Sequence, residues 1–139
     1  MEWLTHIGAF LSGTAVGACG QYLADKYTDK RRKAESASIL RERFKRAEKE
    51  APVLIAEMRD DCRKSQFRGC REFIVLQNSR IMFNSDSLLF RYLREEHPAI
   101  DGHMIMLQTL EFIHPVESNV PRYLLSEDFV ELLRDTTLD

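Results

Sequence analysis

The sequence predicts an α+β protein in which an N-terminal transmembrane helix and a helical stalk precede a small mixed domain. Residues 3–23 contain no Asp, Glu, Lys or Arg, and the segment that follows, residues 24–50, contains neither Pro nor Gly. Short strand-like runs then alternate with helical ones. We therefore divide the chain into a transmembrane helix (1–24), a basic juxtamembrane stalk (25–51) and a domain (52–139).

Composition limits the chain to one domain of modest size. The chain has 139 residues, of which 44% are hydrophobic and 30% charged, so bulk disorder is not expected. The net charge of -2 conceals a gradient, because residues 24–50 carry ten Lys/Arg against six Asp/Glu and residues 92–139 carry three against ten. Cys19, Cys62 and Cys70 do not make a disulfide framework and are expected to be reduced thiols.

The uncharged N-terminal segment has the length of a membrane span. Twenty-one helical residues rise about 31 Å, against roughly 30 Å of hydrocarbon, and Trp3 and Tyr22 lie where aromatic rings prefer the interface. Basic residues follow this segment and only Glu2 precedes it, which places the N-terminus outside and the domain in the cytoplasm. The basic cluster should also bind anionic headgroups; its members are Lys26, Lys30, Arg31, Arg32 and Lys33.

Three alternatives to a simple span stay open at this stage. A secretory signal peptide would need a basic start, which the chain lacks, and the lipoprotein-like box ending at Cys19 lacks it too. The third alternative is a buried soluble helix, because only six side chains strongly favour insertion, for a total of about −3 kcal/mol.

One face of this segment consists of small and polar residues. Gly13 and Gly17 have the four-residue spacing that lets two helix backbones approach closely. The face predicts packing against another helix, most simply a second copy of the chain, whereas glycines that only face lipid are the alternative. The predicted packing residues are Ala9, Ser12, Gly13, Gly17 and Gly20.

An apolar stripe runs through the stalk at spacings of three and four residues. Its members are Ala37, Leu40, Phe44, Ala47 and Ala51. It could extend a membrane dimer as a parallel coiled coil, or dock one stalk on the domain, and we favour docking. Pro52 is expected to begin a new helix that ends near residue 64, with the preceding residue outside the helical region.

After the helix that begins at Pro52, the domain continues with a turn at residues 65–69 and a buried strand at residues 72–76. A second short strand is predicted at residues 81–83, and residues 88–96 could form either a helix or a strand. Residues 98–110 are expected to form a helix with Ile100, Met104, Leu107 and Leu110 turned inward.

A β-hairpin and a capped helix complete the predicted domain. The hairpin strands are residues 112–116 and 122–125, and Ser126 is a good N-cap for a helix that buries Phe129, Leu132 and Leu133. The order helix, strand, tip, strand, helix over about the last forty residues resembles a winged-helix domain. This likeness implies a winged-helix-like cytoplasmic domain, of a kind that binds nucleic acid or protein.

A second resemblance covers nearly the whole chain. The segments that carry it are Trp3-Leu4-x-x-Ile7-Gly8-x-Phe10-Leu11-x-Gly13, Asp29-x-Arg31-Arg32, Pro52-x-Leu54-Ile55-Ala56-Glu57-Met58, Arg71-Glu72-Phe73, Phe83-Asn84-Ser85 and Ser126-Glu127-x-Phe129-Val130-Glu131-Leu132. In these the chain resembles a group of small, functionally uncharacterised bacterial single-pass membrane proteins. The likeness implies a location in the bacterial inner membrane and assigns no site.

The residues offer little for nucleic-acid binding, metal binding or catalysis. The segment 99–110, which would enter a DNA groove, has Asp101 and no Lys or Arg, so residues 59–80 hold the only basic footprint for nucleic acid. Cysteine and histidine spacings match no zinc site, and no phosphate loop or nucleophile elbow occurs. No metal, cofactor or enzyme activity is expected. Without a metal role, Cys62 and Cys70 are expected to be core thiols, and His97, His103 and His114 are expected to be surface histidines. Residues 95–97 are expected to be a solvated run.

These expectations lead to one functional hypothesis and one alternative. The hypothesis is a membrane-anchored adaptor whose cytoplasmic domain binds a protein partner of unknown identity. The alternative is a membrane-tethered winged-helix regulator of nucleic acid, which the acidic C-terminal half disfavours.

Overall fold

The computed structural model describes the backbone of residues 2–80 and 88–135, and the side chains of residues 20–80 and 88–135. The chain forms two compact units, Met1–Ile39 and Leu40–Asp139. Within the described residues, the architecture is α+β with four helices and a four-stranded mixed sheet. In chain order the elements are α1 (Glu2–Glu50), α2 (Pro52–Arg63), a short 3-10 turn (Ser65–Phe67), β1 (Glu72–Leu76), β2 (Phe90–Leu93), α3 (Ile100–Thr109), β3 (Ile113–Val116), β4 (Arg122–Leu125) and α4 (Glu127–Arg134).

The first two helices begin and end where the sequence predicts. No Pro or Gly interrupts residues 24–50, and α1 runs without a break to Glu50. Ala51 then leaves the helical region, with φ −134° and ψ 60°, because the ring of Pro52 restricts the residue before it. Pro52 occupies the first turn of α2, where its missing N–H is not needed.

The last turns of α1 belong to the compact unit that contains the domain. Phe44, Ala47 and Ala51 are at most 1% exposed, and Leu40 packs against the same core. The docked-stripe interpretation of the stalk is confirmed from Leu40 onward, whereas Ala37, one turn earlier, is exposed. The compact unit that contains the domain starts at Leu40.

Three phenylalanines from distant parts of the chain hold α1 to the domain. Phe112 and Phe129 stack with centroids 4.6 Å apart, and Phe44 meets both edge-on at 6.4 and 6.1 Å. The Arg59 guanidinium lies 5.7 Å from the centre of the Phe44 ring and also forms an ion pair with Glu48 of α1. Edge-to-face pairs and cation–π contacts add to the free energy gained by burying these rings.

The sheet has the strand order β2-β1-β4-β3. β1 pairs in parallel with β2 and antiparallel with β4, and β4 pairs antiparallel with β3. β1 is a central strand, and its side chains are buried on both faces: Phe73 and Val75 lie in the main core, and Ile74 and Leu76 are buried as well. This double burial explains the continuous apolar run that predicts the strand.

The second half of the domain agrees with the predicted elements in most details. Residues 88–96, left open as helix or strand, contain β2, in which Phe90 and Tyr92 alternate with the exposed Arg91. The inward residues predicted for the third helix are all buried. The hairpin forms, and the Ser126 hydroxyl accepts a hydrogen bond from the Phe129 amide at 3.3 Å, as an N-cap should.

Two parts of the predicted fold class are not supported. Among the residues that the structure describes, no helix is both long and apolar enough to span a membrane. The winged-helix assignment is also unconfirmed. Within residues 72–80 and 88–125, β2 and α3 lie between β1 and β3 in the chain, and β2 adds a fourth strand that is parallel to β1. The strand predicted at residues 81–83 lies outside the described residues.

Candidate functional site

A buried histidine and a carboxylate join α2 to the turn that follows β2. His97 lies in this turn, where its amide donates to the Leu93 carbonyl and its own carbonyl accepts from the Ile100 amide. Its Nε2 is 2.5 Å from Oε2 of Glu57, which projects from α2. The neighbouring residue, Glu96, is exposed and brings a second carboxylate to the same place.

The structure shows that one sequence prediction about this turn is wrong. Residues 95–97 were expected to form a solvated run, and the histidines without a metal role were expected at the surface. His97 is instead 7% exposed, with its ring edge-on to Tyr92 at 6.4 Å. A histidine after two glutamates is typical of a solvated segment, and Glu57, its hydrogen-bond partner, is forty residues away in the chain.

A second polar pair lies one turn further along α2. The buried Tyr92 hydroxyl donates to Oδ2 of Asp61 at 3.2 Å, and Nζ of Lys64 is 2.7 Å from Oδ1 of the same carboxylate. Burial raises the pKa of Tyr92 well above 10, and the negative Asp61 raises it further. The hydrogen bond to Asp61 raises the pKa of Lys64. The two carboxylates of α2 thus fix β2 and the following turn against the helix.

A shallow groove lies between the end of α1 and α3. Its volume is about 170 Å³, and Ile105 of α3 is 66% exposed beside it. An added Cβ at Gly102 would meet no atom within 4 Å, so the groove is open there. The groove is lined by Arg46, Glu50, Gly102, Ile105, Met106, Thr109 and Leu110.

A basic cavity of about 330 Å³ forms where α2 ends beside α4. The side chains around it are held by local contacts: Arg134 Nε donates to the Cys62 carbonyl at 3.3 Å, and Arg63 Nη2 donates to the Asp135 carbonyl at 3.2 Å. The cationic residues that line it are Arg63, Lys64, Arg68 and Arg134. The first three belong to the basic footprint noted in residues 59–80.

The predicted headgroup-binding residues do not share one face of α1. Lys26, Lys30 and Lys33 line a common surface groove together with Tyr22 and acidic neighbours. Arg31 points elsewhere, at 3.4 Å from Glu35 one turn on. Arg32 is exposed and its carbonyl accepts from the Ser36 hydroxyl. Positive charge therefore surrounds this part of the helix.

Most of the predicted helix-packing residues lie outside the described side chains. They are Ala9, Ser12, Gly13 and Gly17; Gly20 is described and exposed, with open space around its Cα.

The two described cysteines are unpaired and buried. Burial raises the pKa of the Cys62 thiol to about 11 and raises that of Cys70 as well. Such thiols are poor nucleophiles at neutral pH.

Comparison of the chain with protein-family models, with curated protein sequences and with solved structures finds no match. Its function must therefore be inferred from its own residues.

Proposed function

We propose that this chain is a membrane-anchored adaptor. In this proposal residues 1–24 cross the bacterial inner membrane with the N-terminus outside, and the unit Leu40–Asp139 binds another protein in the cytoplasm. Support for the anchor comes from the sequence: the segment without charge at residues 3–23 and the basic cluster that follows it. The exposed lysines and arginines of residues 26–33 would then lie at the anionic headgroups.

The exposed Ile105 of α3 and the groove beside it carry the protein-binding part of the proposal. A single exposed isoleucine is ordinary on a protein surface. Ile105, however, stands beside an open groove whose wall includes Met106 and Leu110, and residues 99–110 contain no Lys or Arg. An apolar patch at a groove favours a protein segment that inserts an apolar side chain. The Arg46–Glu50 ion pair, 2.8 Å long, supplies a polar rim.

Site-specific photo-cross-linking in native membranes tests this proposal. A photoreactive residue replaces Ile105, and a control replaces Gln66, which is exposed and does not line the groove. We expect one discrete adduct from position 105 and none of the same mass from position 66. A second variant that adds Gly102→Leu fills the groove and should abolish the adduct. Identical adducts from both positions, or an adduct insensitive to the filled groove, would refute docking at this face.

The basic cavity favours a second candidate, a membrane-tethered nucleic-acid-binding regulator. Arg63, Arg68 and Arg134 place positive charge around a cavity large enough for a phosphate group. The acidic residues of 92–139 oppose the approach of a polyanion, so this candidate ranks below the adaptor.

Titration of labelled random duplex DNA with the fragment 34–139 distinguishes the two candidates. The adaptor predicts a dissociation constant of about 10⁻⁴ M or weaker at physiological salt, the weak end of ordinary non-specific binding. Micromolar binding that falls steeply with salt, and is lost in Arg68→Ala, would instead establish the nucleic-acid candidate.

A further inference from the structure

The turn after β2 and α2 bring together three side chains whose donor atoms suit a metal ion. One atom each from Glu57, Glu96 and His97 lies within 4.8 Å of the others. The set combines one imidazole nitrogen with two carboxylate oxygens and comes from two separate elements. Imidazole and carboxylate are ligands of Zn²⁺, which in sites with an open position is held by three protein side chains.

The three side chains range from buried to exposed, which suits a metal site that an ion can reach from solvent. The His97 side chain is 6% exposed, the Glu57 side chain is 35% exposed, and Glu96 is exposed. Among the described side chains, His97 is the only buried one among the His, Asp, Glu, Lys and Arg residues. The histidine therefore forms the inner wall, and the two carboxylates leave an approach from solvent.

The imidazole is held in place before any ion binds. Main-chain hydrogen bonds fix both the amide and the carbonyl of His97, and the Tyr92 ring packs against its side chain. The Tyr92 hydroxyl is held in turn by Asp61, which also binds Lys64. Lys64 and Asp61 form an ion pair with each other, so neither side chain needs a partner among Glu57, Glu96 and His97. A ligand that is already ordered loses little conformational entropy on binding.

Only a small movement separates the observed geometry from coordination. Nε2 of His97 and Oε2 of Glu57 are 2.5 Å apart, a hydrogen-bond distance. Two ligands with bonds of about 2.0–2.1 Å at a tetrahedral angle lie about 3.3 Å apart. Rotation of the partly exposed Glu57 carboxylate provides this separation, and Glu96 then supplies the third ligand. A divalent ion would also neutralise the two neighbouring carboxylates.

We propose that Glu57, Glu96 and His97 form a binding site for a divalent transition-metal ion of the Zn²⁺ type. The ion joins α2 to the turn that leads into α3, and its remaining positions face solvent. Its binding holds the beginning of α3 more firmly and raises the unfolding temperature of the unit by mass action. This site is independent of the proposed adaptor function.

Isothermal titration of the purified full-length chain with ZnCl₂, after treatment with a chelator, tests the proposal. Glu96→Gln is the decisive variant, because Glu96 is exposed and its substitution leaves the buried His97–Glu57 pair intact. We expect this variant and His97→Gln to lower the affinity for one equivalent of Zn²⁺ by about tenfold or more. Even the loss of a residue that only hydrogen-bonds to a metal ligand lowers the affinity by about 10–100-fold. Matched controls, His114→Gln and Glu117→Gln, change exposed residues outside the cluster and should bind as the wild type does.

The absorption spectrum of the Co²⁺-substituted protein gives a second readout that does not depend on the heat of binding. We expect d–d bands of a four- or five-coordinate site in the wild type, and their loss in Glu96→Gln with an unchanged circular dichroism spectrum. Zn²⁺ binding that survives both Glu96→Gln and His97→Gln, or falls equally in the two control variants, overturns the proposal. So does the absence of any binding to the wild type.

Discussion

Phe44 tests whether the last turns of α1 are part of the folded domain. Its side chain is 1% exposed and contacts the rings of Phe112 and Phe129. Phe44→Ala removes the transfer free energy of a buried ring and leaves a cavity, which lowers the free energy of unfolding by about 3–5 kcal/mol. Since small domains are stable by roughly 5–15 kcal/mol, this substitution should remove a large share of the total.

Urea unfolding of the fragment 34–139, followed by far-UV circular dichroism, measures this loss. With a slope of about 2 kcal/mol per molar urea, a loss of about 4 kcal/mol lowers the midpoint by about 2 M. Ile39→Ala is the control, because Ile39 is 52% exposed and lies outside the unit Leu40–Asp139. It should change the free energy of unfolding by less than about 0.5 kcal/mol. A fragment that starts at Pro52 should fail to fold. Equal midpoints for the two variants would refute the assignment of α1 to the core.

Three further predictions follow from the sequence and the burial of the cysteines. A reporter active only in the periplasm and fused after Asp139 should be silent, while a cytoplasmic reporter at the same place is bright; reversed signals would contradict the proposed topology. Gly17→Ile should weaken self-association in a membrane two-hybrid assay, whereas Ala18→Ile on the opposite face should not, and equal effects would remove the support for a packing face. Native Cys62 should be alkylated by iodoacetamide at pH 8 about 100-fold more slowly than in urea, because a pKa of about 11 leaves little thiolate; equal rates by mass spectrometry would contradict its burial.

Elements with a strong local signal could be predicted from the sequence. The Pro52 start, the apolar run of β1 and the Ser126 cap each depend on neighbours in the chain, and each forms as expected. The sequence does not decide between helix and strand for residues 88–96, because the spacing of Phe90 and Tyr92 suits a strand while their neighbours suit a helix. Pairing with β1 decides the matter in favour of a strand, and that contact is not local.

The candidate site was missed for the same physical reason. Its inner ligand, His97, finds its hydrogen-bond partner, Glu57, on another helix. Spacing rules for metal sites find ligands that are close in the chain, such as paired cysteines, and give no signal for a residue forty positions away. A parallel strand is equally hard to foresee, since its connection carries no turn signature comparable to that of a hairpin.

The edge-to-face contact of Phe44 with Phe129 also bears on when the domain can fold on the ribosome. The two rings are eighty-five residues apart in the chain, so the loop that they close includes nearly every other element of the unit. Until α4 has left the exit tunnel, the apolar stripe of α1 has no cover and can bind chaperones or aggregate. Nascent chains interrupted before Phe129 are therefore expected to be cleared by proteolysis, although they already contain all four strands.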